Sequence, residues 1–140
     1  MAYAAALIAA FALGCAAQAV RTPAKGSVER TAILNVLRSP IERDLKQKVV
    51  FQTDAFNIAG NWAFISGTPQ NASGGRLDLS KTKFAEAERE GYFGGNFFGL
   101  LQRSGGKWRV VTYQIGCTDV CYSDWWRRYK APKAVFPYTE

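Results

Sequence analysis

Histidine is absent from the 140 residues of this sequence, which contains only three cysteines and one methionine. Without an imidazole, the protein cannot use histidine as a general base, a metal ligand or a phosphoryl carrier. Acidic residues are few, because 11 Asp and Glu accompany 18 Lys and Arg and leave a net charge of +7. The hydrophobic share of 48% suffices for one globular domain. We therefore expect a single basic domain with no catalytic motif, no metal site and no cofactor.

Charged residues are also missing from Ala2 to Ala19, a segment rich in alanine and other apolar residues. It ends in Ala17-Gln18-Ala19, a motif typical of signal-peptide cleavage. We predict a signal peptide over residues 1–19 and a mature domain over 20–140, which is exported to the periplasm or the cell exterior and has no transmembrane span. Two alternatives remain open: a retained membrane anchor, or a lipoprotein attached through Cys15.

The two remaining cysteines, Cys117 and Cys121, form an even set in a small exported domain and predict one local disulfide. Two free buried thiols are the main alternative. Redox or zinc chemistry is disfavoured, because a redox CxxC motif has two intervening residues rather than three, and a zinc site would lack two of its four ligands. The closed loop is very short, so we expect a small stabilisation.

Helix signals dominate the start of the mature domain. Ser27 is a good N-cap, and apolar residues recur after it at spacings of three and four, which predicts an amphipathic helix. The segment 39–42, Ser-Pro-Ile-Glu, has the pattern of a capping box and predicts a second short helix that runs to about Lys46. The two helices would share an apolar stripe through Leu37, Ile41 and Leu45.

From Val49 onward the period changes to two, which predicts strands near 49–56, 62–66, 96–103 and 107–115. Ser104-Gly105-Gly106 is a strong hairpin signal between the last two strands. On the first strand, the alternation assigns Val49, Phe51 and Thr53 to one face of the sheet. It assigns Val50, Gln52, Asp54 and Phe56 to the opposite face. On the last strand it separates Trp108, Val110 and Thr112 from Val111, Tyr113 and Ile115.

Four antiparallel strands preceded by helix define an α+β domain, with N-terminal helices packed on a curved four-stranded antiparallel sheet and a short C-terminal helix. A long segment over residues 67–95, rich in Gly, Ser, Asn and Lys, interrupts the strand pairs. We interpret it as an irregular loop, either a solvated insertion or a functional loop.

The C-terminal segment has two adjacent tryptophans, and we expect one indole to close the sheet as core while the other is partly exposed. Tryptophan and arginine are the residue types that dominate binding hot spots. The predicted binding residues are Trp125, Trp126, Arg127 and Arg128. An envelope protein or an anionic envelope surface is the expected partner, because a cationic face attracts the anionic groups of the cell envelope. Nucleic acid is a less favoured partner, since an exported protein seldom meets it. The alternative that the basic residues only keep the domain soluble stays open. The oligomeric state stays open.

An alternative function is an enzyme with a pocket between helix and sheet. Without histidine, a carboxylate would act as base and a tyrosine as acid, and the candidates are Asp54, Tyr113 and Asp119. Against this, Asp119 is placed to cap a helix, and Asp54 lies on the open face of its strand. We favour a binding or interaction domain, with an inhibitor or accessory partner of another envelope protein as a second possibility.

With these elements placed, the mature chain resembles a group of small, uncharacterised bacterial exported proteins with a cystatin-like or NTF2-like plan. The matching elements are the helix at 30–34, the strand at 60–64, the last strand from Trp108 into Gly116, and then Asp119, Trp125, Tyr129 and Pro132. The resemblance implies one helical layer wrapped by a curved antiparallel sheet, and an exported setting. It implies no known activity.

Overall fold

The computed structural model describes residues 19–140, so the predicted apolar segment of the signal peptide and Cys15 lie outside the described residues. No helix within 19–140 combines the length and apolar character needed to cross a membrane. The elements in chain order are α1 (Val28–Leu45), β1 (Val49–Ala59), β2 (Trp62–Asn71), α2 (Ala85–Arg89), β3 (Phe97–Ser104), β4 (Lys107–Ile115), α3 (Trp125–Arg128) and a 3-10 turn (Lys133–Val135). The strands form one antiparallel sheet in the order β1-β2-β3-β4. The predicted α+β class, with a helix before a four-stranded antiparallel sheet and a short C-terminal helix, is confirmed.

Helix α1 begins where the sequence predicts. The Ser27 hydroxyl accepts a 3.2 Å hydrogen bond from the backbone N–H of Arg30, which satisfies one of the free donors of the first turn. The apolar stripe continues along the helix and is buried against the sheet. Its fully buried members are Ile33, Leu37, Ile41 and Leu45.

The predicted break at Ser39 is wrong, because α1 runs without interruption through Pro40. A proline inside a helix removes one backbone hydrogen bond and costs about 3 kcal/mol or more. Burial of the stripe on both sides of Pro40 offsets that loss. Glu42 does not complete a capping box; its carboxylate instead accepts a 3.1 Å hydrogen bond from the backbone N–H of Val49, at the start of β1.

One core lies between α1 and the sheet. It joins the helix stripe to Phe56, Ile65, Phe97, Leu101 and other buried strand residues. Gly99 on β3 lets the helix approach closely, since a Cβ added there would lie 2.7 and 2.8 Å from the two Cδ atoms of Leu37. The absence of a side chain at position 99 therefore allows the short distance between α1 and β3.

A β-bulge changes the face pattern of β1. Thr53 pairs with Gly67 and Ala55 pairs with Ser66, so Asp54 is an extra residue without a partner on β2. The bulge moves Phe56 onto the helix side, where it joins the core. The prediction that Phe56 shares a face with Val50 and Gln52 is therefore wrong.

A second irregularity reverses the pattern of β4. Leu100 pairs with Thr112 and Leu101 with Val110, which leaves Val111 as the extra residue. As a result, Trp108 and Val110 share the helix-side core with Tyr113 and Ile115. The predicted separation of these two pairs onto opposite faces is wrong for this reason.

A second core covers the other face of the sheet. Phe64 on β2 and Leu100 on β3 point into it, and the chain after β4 supplies the cover. The covering residues are Tyr122, Trp125, Ala131, Val135 and Phe136. The sheet is therefore enclosed by α1 on one face and by the C-terminal segment on the other.

The predicted loop at 67–95 is shorter than expected, because β2 continues to Asn71. The remainder, residues 72–96, contains the short α2 and is tied to the end of α1. The Gln47 side-chain amide donates a 2.7 Å hydrogen bond to the backbone oxygen of Asp78. Leu79 is buried in the helix-side core, so this segment is a structural cover and not only a solvated insertion.

Candidate binding surface

The segment after β4 carries the predicted binding residues. Its start is fixed by Cys117 and Cys121, which the structure places in disulfide geometry with Cα atoms 6.3 Å apart. The Asn96 side-chain amide donates a 2.7 Å hydrogen bond to the Cys117 backbone oxygen. Farther along, Asn57 on β1 donates a 3.0 Å hydrogen bond to the backbone oxygen of Val135. The segment is thus attached to the sheet at both of its ends.

The two adjacent tryptophans have different environments, as the sequence predicts. Trp125 is 2% exposed and packs edge-on against Phe64, with a centroid distance of 6.5 Å. Tyr129 packs edge-on against the same indole at 6.3 Å. Trp125 is therefore a core residue that a partner cannot reach, whereas Trp126 is only half buried.

Two cations lie close to the Trp126 ring. The Lys133 Nζ lies 3.8 Å from the centroid of the Trp126 ring, and the Arg127 Cζ lies 5.7 Å from it. Its indole N–H donates a 3.1 Å hydrogen bond to the backbone oxygen of Glu140. These contacts fix the ring orientation and leave the cationic groups exposed beside it. We call Trp126, Arg127 and Lys133 the basic tryptophan surface.

Neighbouring arginines differ in whether their charge is balanced. Arg128 forms a 2.7 Å ion pair with Asp124, four residues earlier. Neither Arg127 nor Lys133 has a carboxylate within 4.0 Å among residues 19–140. The exposed positive charge of this surface is therefore available to an outside partner, while that of Arg128 is already paired.

The catalytic candidates Asp54, Tyr113 and Asp119 are not brought into one site. The Tyr113 hydroxyl donates a 2.8 Å hydrogen bond to Asp44 near the end of α1, and Lys83 lies 3.1 Å from the same carboxylate oxygen. Asp54 lines a cavity together with Arg30 at the other end of α1, about 20 Å away along the helix axis.

The pKa shifts of Asp44 and Tyr113 are opposite to those that acid–base catalysis by this pair would need. Partial burial raises the pKa of Asp44, but the hydrogen bonds from Tyr113 and Lys83 outweigh burial and bring the pKa below its ordinary value. Burial, together with the hydrogen bond to Asp44, raises the pKa of Tyr113. The pair is thereby held as a carboxylate and a neutral phenol, which makes a weaker base and a weaker acid.

Asp119 does not cap a helix, which corrects the prediction. Its carboxylate accepts a 2.7 Å hydrogen bond from the backbone N–H of the next residue, Val120, in an exposed turn. The following helix, α3, begins later, after Asp124. Across residues 19–140, no three His, Cys, Asp or Glu side chains are grouped closely enough to hold a metal ion.

Two cavities of the described residues have linings that include none of the residues of this surface. One, of about 510 Å³, lies between the end of β2 and the 72–96 segment, and four glycines contribute to its lining. The other, of about 550 Å³, lies between the extended chain before α1 and β1, and includes Arg30. Sequence reasoning missed Arg30, although its position is in helical phase with Ile33, Leu37 and Ile41. A cation in an otherwise apolar stripe was the available signal.

Comparison with known proteins adds no relative. No family model matches the chain, and neither a curated protein nor a solved structure is significantly similar to it.

Proposed function

We propose that the mature chain is an exported binding domain of the bacterial cell envelope that recognises an acidic surface of another envelope protein. The observation that carries this proposal is the basic tryptophan surface, in which Lys133 and Arg127 both lie close to the Trp126 ring. Both cations are exposed and lack an acidic partner among the described residues.

The arrangement suits recognition of carboxylates. A half-buried indole offers rigid apolar area at low conformational cost, and adjacent cations attract and orient acidic groups. The Trp126 ring is already fixed by the Glu140 hydrogen bond, so little ordering would be needed on binding. The net charge of +7 would assist association with an acidic partner at low salt.

Two parts of this proposal rest on the sequence. Export rests on the uncharged segment before residue 20 and its cleavage motif. The cystatin-like or NTF2-like assignment is supported by the order of α1 followed by a four-stranded meander. An inhibitor or accessory role toward the bound protein is compatible with the same surface.

The test uses purified oxidised protein and an immobilised polyglutamate peptide as an acidic protein-like probe. We expect the double variant Arg127→Ala/Lys133→Ala to lose most binding, and Trp126→Ala to lose at least as much. Arg128→Ala is the matched control, because that arginine is adjacent in sequence but already paired with Asp124. Equal losses in the control and the double variant would contradict recognition by this surface.

A parallel measurement distinguishes a protein partner from a membrane surface. Vesicles of anionic phospholipid replace the peptide, at the same ionic strength. Variant-sensitive binding to the peptide, with only weak and variant-insensitive binding to vesicles, supports the proposal. Variant-sensitive binding to vesicles alone would replace the proposed acidic protein with an anionic envelope surface.

A further inference from the structure

The cavity beside β1 contains a buried arginine. Arg30 is only 9% exposed, and its guanidinium donates hydrogen bonds of 3.1 Å to the backbone oxygen of Pro23 and 2.8 Å to the hydroxyl of Thr53. The Arg30 Cζ also lies 4.6 Å from the centroid of the Phe56 ring. These contacts fix the plane of the guanidinium at the wall of a cavity of about 550 Å³.

The charge of Arg30 is not balanced by these contacts. Both hydrogen-bond acceptors are neutral, and no carboxylate among residues 19–140 lies within 4.0 Å of its nitrogens. Its neighbour Glu29 is engaged elsewhere, in a 2.7 Å ion pair with Arg21. Burial of a cation without a counter-charge is costly, and Arg30 lies in the first turn of α1, at the positive end of the helix dipole.

We infer that this cavity is a binding site for a small carboxylate, with Arg30 as the principal anion-binding group. A guanidinium presents a planar set of N–H donors that matches a carboxylate. Lys25 adds a second cation to the lining, and Thr22 adds a hydroxyl donor. The site is separate from the basic tryptophan surface, so it goes beyond the proposed function.

The lining also favours a single negative charge over a phosphate dianion. Asp54 is placed at the cavity by the β1 bulge, and its carboxylate repels additional negative charge. The ring of Phe56 and the exposed Pro137 give the cavity an apolar part. A carboxylate with a short organic group therefore fits better than an inorganic polyanion.

The direct test is titration of the oxidised protein with sodium acetate, observed by ¹H–¹⁵N NMR. Acetamide is the matched neutral probe, and sodium chloride keeps the ionic strength constant. We expect saturable shifts of the Arg30 side-chain N–H signal and of the Thr53 and Phe56 amides with acetate only. Shifts that do not saturate, or that occur equally with chloride or acetamide, would overturn the inference.

Variants of exposed residues separate binding from folding. Asp54→Asn removes the repelling charge and is expected to tighten acetate binding about threefold, whereas Lys25→Ala weakens it by a similar factor. Unchanged affinity in both variants would contradict the assigned site. Arg30→Lys keeps the charge but loses the planar donors, so we expect at least a tenfold weaker affinity if the variant folds.

The same titration identifies the source of the carboxylate. N-acetylglycylglycine presents a peptide C-terminus, whereas acetate represents a free small acid. Tighter binding of the peptide would assign a polypeptide terminus as ligand, and similar or weaker binding would assign a free acid; both retain the carboxylate site. Trp126→Ala should leave acetate affinity unchanged, so the two sites can fail independently.

Discussion

The Tyr113 hydroxyl on β4 donates a 2.8 Å hydrogen bond to the Asp44 carboxylate near the end of α1. The same carboxylate oxygen accepts a 3.1 Å hydrogen bond from Lys83 in the 72–96 segment. One acidic group thus joins three parts of the chain that are distant in sequence. Because Asp44 is mostly buried, this junction contributes more than an exposed ion pair would.

We predict that this junction makes the free energy of unfolding fall both at acid pH and at alkaline pH. The folded-state pKa of Asp44 is lowered, so its contribution is present above about pH 4 and is lost as pH falls through the folded pKa. The folded-state pKa of Tyr113 is raised, so its contribution is present below about pH 10 and is lost as pH rises through the folded pKa. Urea unfolding across the pH range measures both.

Asp44→Asn should lower the free energy of unfolding at neutral pH by about 1–3 kcal/mol and flatten its decline in acid. Tyr113→Phe should flatten the decline in alkali. Glu90→Gln, at an exposed position, controls for the change in net charge. Acid and alkaline limits identical to those of the unmodified protein in both variants would show that the junction carries no such linkage.

Gly99 and Leu37 are in close contact, so substitutions at the two positions should affect stability in a coupled way. Because a Cβ at position 99 would lie within 2.8 Å of both Leu37 Cδ atoms, we predict that Gly99→Ala costs about 1–3 kcal/mol. Leu37→Ala alone should cost about 2–5 kcal/mol through the cavity it leaves. In the double variant the new methyl group fills part of that space, so the total should be less than the sum by at least about 1 kcal/mol. A urea unfolding cycle tests this; additive costs would contradict the close approach.

Phe136 packs in the second core, so we expect the stability of the protein to depend strongly on its side chain. Its ring packs edge-on against Phe64 at 5.3 Å and is 7% exposed. We predict that Phe136→Ala lowers the free energy of unfolding by about 3–5 kcal/mol. Tyr138→Ala, two residues later and exposed, should change it by less than about 0.5 kcal/mol. Similar losses in both variants, measured by urea unfolding, would show that the C-terminal cover is not packed on the sheet.

The contact between Lys133 and Trp126 has a modest predicted energy. Lys133→Met keeps the length of the side chain but removes its charge, and we expect a loss of about 0.5–1 kcal/mol together with a shift of the Trp126 indole N–H resonance. Lys130→Met is the control, because Lys130 is exposed and contacts no aromatic ring through its ammonium group among the described residues. The NMR signal distinguishes the two variants even if their stabilities are similar.

Several elements of the fold could be predicted because their signals are local. The stripe of α1, its Ser27 cap and the turn at Ser104-Gly105-Gly106 follow from spacing and turn chemistry. The bulges at Asp54 and Val111 could not, because both faces of the sheet carry apolar residues, which hide the change of phase that an extra residue causes in a pattern of period two. Each bulge transferred later residues of its strand to the opposite face.

The candidate sites were only partly predictable. The adjacent residues Trp126 and Arg127 indicate a binding surface in the sequence. The approach of Lys133 to the Trp126 ring could not be predicted, because it depends on how the chain folds back after α3. The cover on the second face does have a sequence signal: Ala63, Phe64 and Ile65 form a continuous apolar run, which indicates a strand buried on both faces. The surroundings of Arg30 could be identified only from the tertiary structure, because its contacts Thr53 and Phe56 are distant from it in sequence.

The enclosure of the sheet from two sides also makes its two faces depend differently on the C-terminal segment. The helix-side core uses residues up to Ile115, whereas the opposite core requires Tyr122 to Phe136. The first core can therefore form without that segment, and the second cannot. A local opening that detaches Tyr122 to Phe136 exposes Phe64 and Leu100 to water and uncovers apolar surface on one face of the sheet only.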